Sequence, residues 1–258
     1  MPGSDLDLLI DAAQAAGEIA RGFFGRGAER WDKPGGEGPV TEADLAVNAR
    51  LEDSLRAARP DYGWLSEESA DDPDRLSRES LFIVDPIDGT RSFIEGSRAW
   101  AHSLAVVRAG RVTAGVVYLP MMDKLYAAGA GLGATLNGAP IRASERATLE
   151  AATVLSARPA FEADNWKDGH VPPAERVYRP SLAYRLSLVA EGRFDAMLTL
   201  RPTWEWDIAA GDVILREAGA TISDRRGGAL RYNGASRQVN GVVSGGAPLH
   251  GALIRALV

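Results

Sequence analysis

The sequence predicts a layered α/β fold, and two observations carry that expectation. Its 258 residues suffice for one large domain, or two closely packed lobes, around a substantial core. The N-terminal half reads as two helices followed by consecutive strands and tight turns, whereas the C-terminal half alternates strand with helix. Apolar residues make up 45% of the chain and charged residues 25%, the balance of an ordinary globular protein rather than a disordered one.

Ser4 stands as the cap of a first helix, with Asp5 and Asp7 near its positive end. Leu8, Ala12, Ala16, Ile19 and Phe23 then recur at helical spacing. A Gly/Pro-rich loop over 34–39 follows. Thr41 caps a second helix running to about Ala58, where Pro60 ends it, and Asp44 falls in its first turn. Leu-Phe-Ile-Val at 81–84 is a buried strand that stops at Asp85-Pro86. Residues 103–107 and 112–118 read as strands joined by a turn at Ala109-Gly110. Residues 125–128 and 134–136 extend the sheet, and Asn137-Gly138 marks another hairpin. A strand near Val154, a helix over 182–191, a strand over 196–200 and a helix from about Ile208 to Ala218 complete the pattern. A boundary near 145–152 separates an N-terminal lobe, 1–148, from a C-terminal lobe, 149–258, that completes the site.

Charge and composition exclude several classes of function. A formal charge of −6 disfavours a nucleic-acid partner, because phosphate backbones bind basic surfaces. With no cysteine there is no disulfide, thiolate metal site or cysteine nucleophile, which fits a reducing cytoplasm. The acidic start, Met1-Pro-Gly-Ser-Asp, does not read as a signal peptide, and no apolar run is long enough to span a membrane. The three histidines, His102, His170 and His250, lack ligand-like spacing.

The stretch Asp85-Pro86-Ile87-Asp88-Gly89-Thr90 carries the chemistry. Two carboxylates at the end of an apolar strand are costly without partners, and no Lys or Arg is adjacent before Arg91. Hard divalent cations with oxygen ligands are the natural compensation. Pro86 keeps Asp85 extended, Gly89 permits a turn, and the amides around Gly89 and Thr90 form an anion cradle. Glu67, after Trp64-Leu65-Ser66, and Asp207, in Trp206-Asp207-Ile208, add two more carboxylates. Glu67, Asp85, Asp88 and Asp207 together suit two magnesium ions, with Thr90 and Asp44 orienting and deprotonating an attacking water. Bound cations also let an acidic protein attract a small phosphorylated substrate.

Four segments, 39–44, 65–68, 85–90 and 206–211, resemble in order the signatures of the inositol monophosphatase superfamily, and the likeness spans nearly the whole chain. The resemblance implies an αβαβα sandwich of the inositol monophosphatase and fructose-1,6-bisphosphatase type. It implies lithium-sensitive phosphomonoester hydrolysis with up to three Mg2+. Glu67, Asp85, the Ile87 carbonyl, Asp88 and Asp207 would be ligands. Asp44 would support a weaker metal through water, Thr90 with Asp44 would activate the nucleophile, and Gly89, Thr90 and Asp207 would meet the substrate. Such relatives are monomers or homodimers. Leu-Ser-Glu-Glu at 65–68, Gly-Pro-Val-Thr at 38–41 and Pro202-Thr203 look most like 3′(2′),5′-bisphosphate nucleotidases. Inositol monophosphatases usually carry glycine in place of Ser66, and a carboxylate in the region where this chain reads Leu198-Thr-Leu-Arg-Pro-Thr203. Arg185 and Arg201 are candidates for a second phosphate, and Trp204 is either core or a stacking surface for a substrate ring. Pro180 departs from the nucleotidase pattern, where glycine is common. An inositol-1-monophosphatase, or a regulatory binding protein on the same fold, is the alternative.

Two further patterns are set aside. Haloacid-dehalogenase phosphatases separate their two aspartates by one residue, whereas Pro86 and Ile87 both intervene here. Gly129-Ala-Gly131-Leu-Gly133 matches a dinucleotide fingerprint only in letters, because it runs into a hairpin rather than a helix.

Overall fold

The computed structural model describes residues 3–33 and 38–258; residues 34–37, part of the expected Gly/Pro-rich loop, lie outside the described residues. Two capped helices come first. In α1 (Asp5–Phe23), Ser4 and Asp7 form a reciprocal capping box, and Leu9, Ala13, Ala16 and Ala20 make the buried face. After a short pair of strands, β1 (Arg30–Asp32) and β2 (Pro39–Thr41), helix α2 (Glu42–Ala58) begins with a second capping box between Thr41 and Asp44. It ends at Ala58, as expected ahead of Pro60, with Arg59 as its C-cap.

The chain then builds a seven-stranded sheet in sequence order. Its members are β3 (Gly63–Ser66), β4 (Ser80–Asp88), β5 (Ala101–Arg108), β6 (Arg111–Leu119), β7 (Lys124–Gly129), β8 (Gly133–Leu136) and β9 (Ala139–Pro140). Only β3–β4 is parallel; the other pairs are hairpin-like and antiparallel. The glycine-rich 129–133 segment is the β7–β8 turn, as the hairpin reading requires. Asn137 and Gly138, at φ 49° and 79°, make the tight turn into β9.

Between β4 and β5 a five-residue helix, α3 (Thr90–Ile94), starts directly after the acidic strand end. The C-terminal region supplies β10 (Thr153–Leu155), β11 (Glu175–Val177), helix α4 (Leu182–Ala190), β12 (Ala196–Thr199), β13 (Thr203–Trp204) and helix α5 (Glu205–Glu217). It closes with β14 (Thr221–Ser223), β15 (Gln238–Val239), β16 (Val242–Gly245) and helix α6 (Ala247–Ala256). A second, five-stranded sheet runs β11-β10-β12-β16-β14.

Three apolar clusters show how these elements stack. Leu9, Ala16, Val47 and Leu55 of the first two helices pack on Phe82, Leu104 and Val116 from one face of the large sheet. On the other face, Ala105 and Val117 meet Leu186 of α4 and Ile208, Ala210 and Val213 of α5, whose far side reaches Leu155, Met197 and Val242 of the second sheet. Leu249 and Leu253 of α6 then cover Val154, Leu198 and Val243. The result is the expected five-layer αβαβα sandwich. Each fully buried Leu contributes roughly 1.5–3 kcal/mol by leaving water.

Helix α5 lies unusually close to the large sheet. A Cβ on Gly115 of β6 would stand 2.6 Å from Val213 Cγ1 and 2.9 Å from the Ala210 backbone, and one on Gly211 would stand 2.5 Å from Leu186 Cδ1. These glycines let α5 pack closely against both the sheet and its neighbour α4, and so set where its N-terminus arrives. No helix among the described residues is long and apolar enough to cross a membrane. His102 and His250 are buried, the latter 2.8 Å from Ser223 Oγ, whereas His170 is exposed.

Candidate active site

The site forms where β4 leaves the sheet. Pairing between β4 and β5 is regular as far as Asp85–Ser103 and then shifts register before Asp88–Ala101. This irregularity re-aims the end of a strand whose first half is apolar and buried. Gly89 follows with φ 100° and caps α3, a conformation that favours glycine. His102 stabilises the bend from below: its ring Nδ1–H donates to the Pro86 carbonyl, and burial pushes the imidazole down to about 4. It is therefore a neutral, structural histidine.

Asp85, Asp88 and Asp207 each bring one carboxylate oxygen within 4.8 Å of the others. Asp85 and Asp88 come from β4, and Asp207 from the first turn of α5. Ser103 Oγ bonds the Trp206 carbonyl at 2.9 Å, which ties that turn to the sheet. Asp88 Oδ2 accepts from Ser181 Oγ at 2.8 Å and from the Ala183 amide at 2.6 Å. Asp85 Oδ1 is buried without any donor. Burial first, and then Glu67, Asp88 and Asp207, hold Asp85 well above the usual carboxylate range. Asp207 is raised by burial and by Asp88 and Glu67, against the opposing pull of Arg201 and Arg185. An acceptor-only cluster with a buried oxygen lacking a donor fits a hard divalent cation.

Asp44 and Thr90 meet beside the cluster. Asp44 Oδ2 is taken by Thr41, at 2.9 Å from its amide and 2.6 Å from its hydroxyl, whereas Oδ1 faces the Thr90 hydroxyl at 3.2 Å. That hydroxyl also lies 3.2 Å from the Ile87 carbonyl oxygen. Burial pushes Asp44 up to about 6, despite the bonds from Thr41.

Glu67 stands apart from the tight trio. Lys33 Nζ lies 2.8 Å from Glu67 and 2.6 Å from Glu68, so an ammonium sits between the two carboxylates. Burial opposes the charge on Lys33, yet the two glutamates raise its pKa overall. Burial pushes Glu68 up to about 7 although Lys33 pulls the other way. Sequence reasoning missed Lys33; the available signal was its place as one of only three lysines, just before the glycine-rich loop. It also missed Ser181, which holds φ 62° while capping α4 and bonding Asp88.

A cavity of about 630 Å³ opens over Asp85, Asp88, Thr90 and Asp207, with Arg185 and Arg201 on its other side. Neither arginine makes an ion pair within 4 Å among the described residues. Ser66 does not line this cavity: its hydroxyl donates to Asn48 at 2.6 Å and accepts from the Glu68 amide, so it shapes the loop rather than meeting a ligand. Trp204 stacks on Trp206 at 4.8 Å and 8°, and Arg237 lies over its ring at 5.5 Å. The parallel rings leave no room for a guanidinium between them, so both faces of Trp204 are covered.

This fold and this acidic pocket define a phosphoric monoester hydrolase. The inositol monophosphatase family model matches residues 4–258, and the chain belongs to that family. It is 32% identical to the Nus factor SuhB of Escherichia coli K12 over 86% of each chain. It is also 32% identical to an inositol-1-monophosphatase of Mesorhizobium japonicum, over 98% of this chain and 95% of that one. An IMPase structure from Thermotoga maritima superposes with a TM-score of 0.82 at 29% identity, covering 97% and 95% of the two chains. A crystal structure of 2′AMP-bound SaIMPase-II gives a TM-score of 0.82 at 25% identity, covering 96% and 91%.

Proposed function

We propose that this chain releases phosphate from a small bisphosphorylated nucleoside, such as adenosine 3′,5′-bisphosphate, in a magnesium-dependent reaction with water. The observation that carries the hydrolytic part is the convergence of Asp85, Asp88 and Asp207 with one buried oxygen lacking a donor. Two to three Mg2+ held by Glu67, Asp85, the Ile87 carbonyl, Asp88 and Asp207 would supply the positive charge that attracts the phosphate and acidifies water.

The protein's own groups handle the proton and the orientation. Thr90 Oγ1 has one hydrogen to donate, to Asp44 or to the Ile87 carbonyl, and lone pairs left to receive a proton from water. Asp44, pushed up to about 6, is a base poised near neutral pH. Its second oxygen is fixed by Thr41, so the reactive one keeps its aim at Thr90. Gly89 and Thr90 line the cavity, where their backbone would face the phosphate, and Glu67, paired with Lys33 here, would turn to hold metal when that ion pair opens.

Two unpaired guanidiniums, Arg185 and Arg201, support the bisphosphate reading. Both lie near enough to Asp207 to lower its pKa, and both line the cavity, so a second anionic group would find charge-assisted donors there. The carboxylate expected of an inositol site is absent: Thr199 and Leu200 occupy that stretch. The 2′AMP complex of a structural relative is in keeping with a nucleotide ligand. A cytoplasmic setting suits this substrate class.

Phosphate release from adenosine 3′,5′-bisphosphate and from inositol 1-phosphate, with magnesium and then with added lithium, tests the proposal. Preference for the nucleotide and inhibition by lithium are expected. Preference for inositol phosphate would transfer the same chemistry to the alternative substrate. Folded, magnesium-loaded protein that hydrolyses neither would leave a binding role on this fold.

A further inference from the structure

The cavity over the acidic cluster does not end at the arginines. A second cavity of about 460 Å³ continues from it, with Tyr178, Leu182, Arg185 and Arg201 as the shared wall. Space of this size beyond the reacting centre accommodates a part of the substrate that does not react but contributes binding. The far wall mixes apolar surface, Ala157, Ala160 and Leu200, with the polar side chains of Asn165 and Glu162.

Tyr178 is the residue that defines what fits. Tyr178 is half exposed, an unusual state for a large aromatic residue at a cavity wall. The Arg185 guanidinium lies 4.8 Å from the ring centroid and covers one face, and Arg185 is itself held by a bond from its Nε to the Arg179 carbonyl. No other aromatic ring or guanidinium stacks on Tyr178 among the described residues. Trp204, the other aromatic at the catalytic cavity, has both faces covered and is not available. Asn165 supplies direction as well as contact. Its amide nitrogen donates to the Pro159 carbonyl at 2.9 Å, which leaves the amide oxygen as a fixed acceptor. Glu162 is a second acceptor on the same wall. Acceptors on that edge favour a ring that carries an amino group.

We infer that the side cavity is a subsite for a planar, amino-bearing heteroaromatic ring, with Tyr178 as its stacking platform and Asn165 reading its edge. This rests on the reading of the substrate as a nucleotide, and it makes a purine base the fitting occupant. The ring lies on Tyr178 while the arginines at the junction of the two cavities meet the second anion.

Adenosine is the probe, because it carries the ring and no phosphate. Calorimetric titration with adenosine, on wild type and on variants verified as folded by thermal melting, reads the subsite without any turnover. Stacking energetics predict binding weakened on the order of tenfold in Tyr178→Ala and retained in Tyr178→Phe. Ala157 is exposed with an extended backbone that accepts any residue, so Ala157→Trp fills the cavity from the opposite wall and abolishes binding. Adenosine that does not bind wild type up to about 10 mM, or binds all four proteins alike, would overturn the inference. A failure of the bisphosphate reading shows separately, as phosphate release from the nucleotide no faster than from inositol 1-phosphate while adenosine still binds.

Discussion

Ser181 donates its hydroxyl to Asp88 across 2.8 Å while its own backbone sits at φ 62°. The same oxygen accepts from the Tyr184 amide, so one side chain caps α4 and fixes a candidate metal ligand on β4. A non-glycine residue at positive φ is strained by about 1 kcal/mol or more, and its polar bonds hold it there.

Replacing Ser181 therefore separates strain from bonding. Ser181→Ala keeps the strain and loses both bonds, and is expected to destabilise the protein by about 1–3 kcal/mol. Ser181→Gly loses the same bonds but relaxes the backbone, and should be the more stable of the two. Urea unfolding of both variants checks this; an alanine variant as stable as the glycine one would remove the strain argument.

Thr90→Val and Asp44→Asn each interrupt the proton path while leaving the acidic trio intact. Loss of general-base action predicts kcat lower by about 10²–10⁴-fold. Steady-state kinetics at saturating magnesium would show it, with the folded state verified by circular dichroism.

Stability of the metal-free protein should fall as pH rises. Asp44 is pushed up to about 6 and Glu68 to about 7, chiefly by burial. Each carboxyl holds its proton in the folded protein at a pH where the unfolded chain, near 4, has released it. Their contribution is complete below about pH 4 and is lost as pH rises through about 6 to 7. His102, pushed down to about 4, opposes this trend below about pH 6.5 and is silent above it. Melting temperatures in EDTA should thus decline between about pH 6.5 and about pH 7.5, as Glu68 and the last of Asp44 release their protons, and magnesium should restore them at the upper end. A flat EDTA profile would contradict the electrostatic picture.

Packing behind the site is equally testable. Gly115→Ala places a methyl 2.9 Å from the Ala210 backbone, which cannot swing away as a side chain can. Overpacking of this kind costs about 1–3 kcal/mol and displaces α5, which carries Asp207. Lower thermal stability together with weaker magnesium binding is expected from calorimetry on this variant.

Much of this was legible in the sequence because its signals were local. The Ser4 and Thr41 caps, the apolar run at 81–84 and the Asn137-Gly138 turn each specify backbone within a few residues. Strands β3, β14 and β16 were not legible: they are only three or four residues long and are held by neighbours. α6 went unread behind the Gly245-Gly246 pair, with no side-chain cap to announce it. Helix α5 begins at Glu205, earlier than its alanine-rich run suggested, because Glu205 accepts from the Asn233 and Gly234 amides at 2.7 and 2.8 Å. That contact spans 28 residues and leaves no local trace. The candidate ligands Asp85, Asp88 and Asp207 were visible as motifs, whereas the Lys33–Glu67 pair and Ser181–Asp88 bond required the folded chain. Ser66, prominent as a motif letter, turned out to brace its own loop through Asn48.

Phosphate release as a function of magnesium, measured for wild type and Asp85→Asn, tests the acidic site most directly. Wild type should show turnover that saturates with magnesium and disappears in EDTA, while the folded Asp85→Asn protein stays inactive at every concentration. Turnover that persists in EDTA, or a folded Asp85→Asn protein with undiminished activity, would contradict a metal-dependent centre built on Asp85, Asp88 and Asp207.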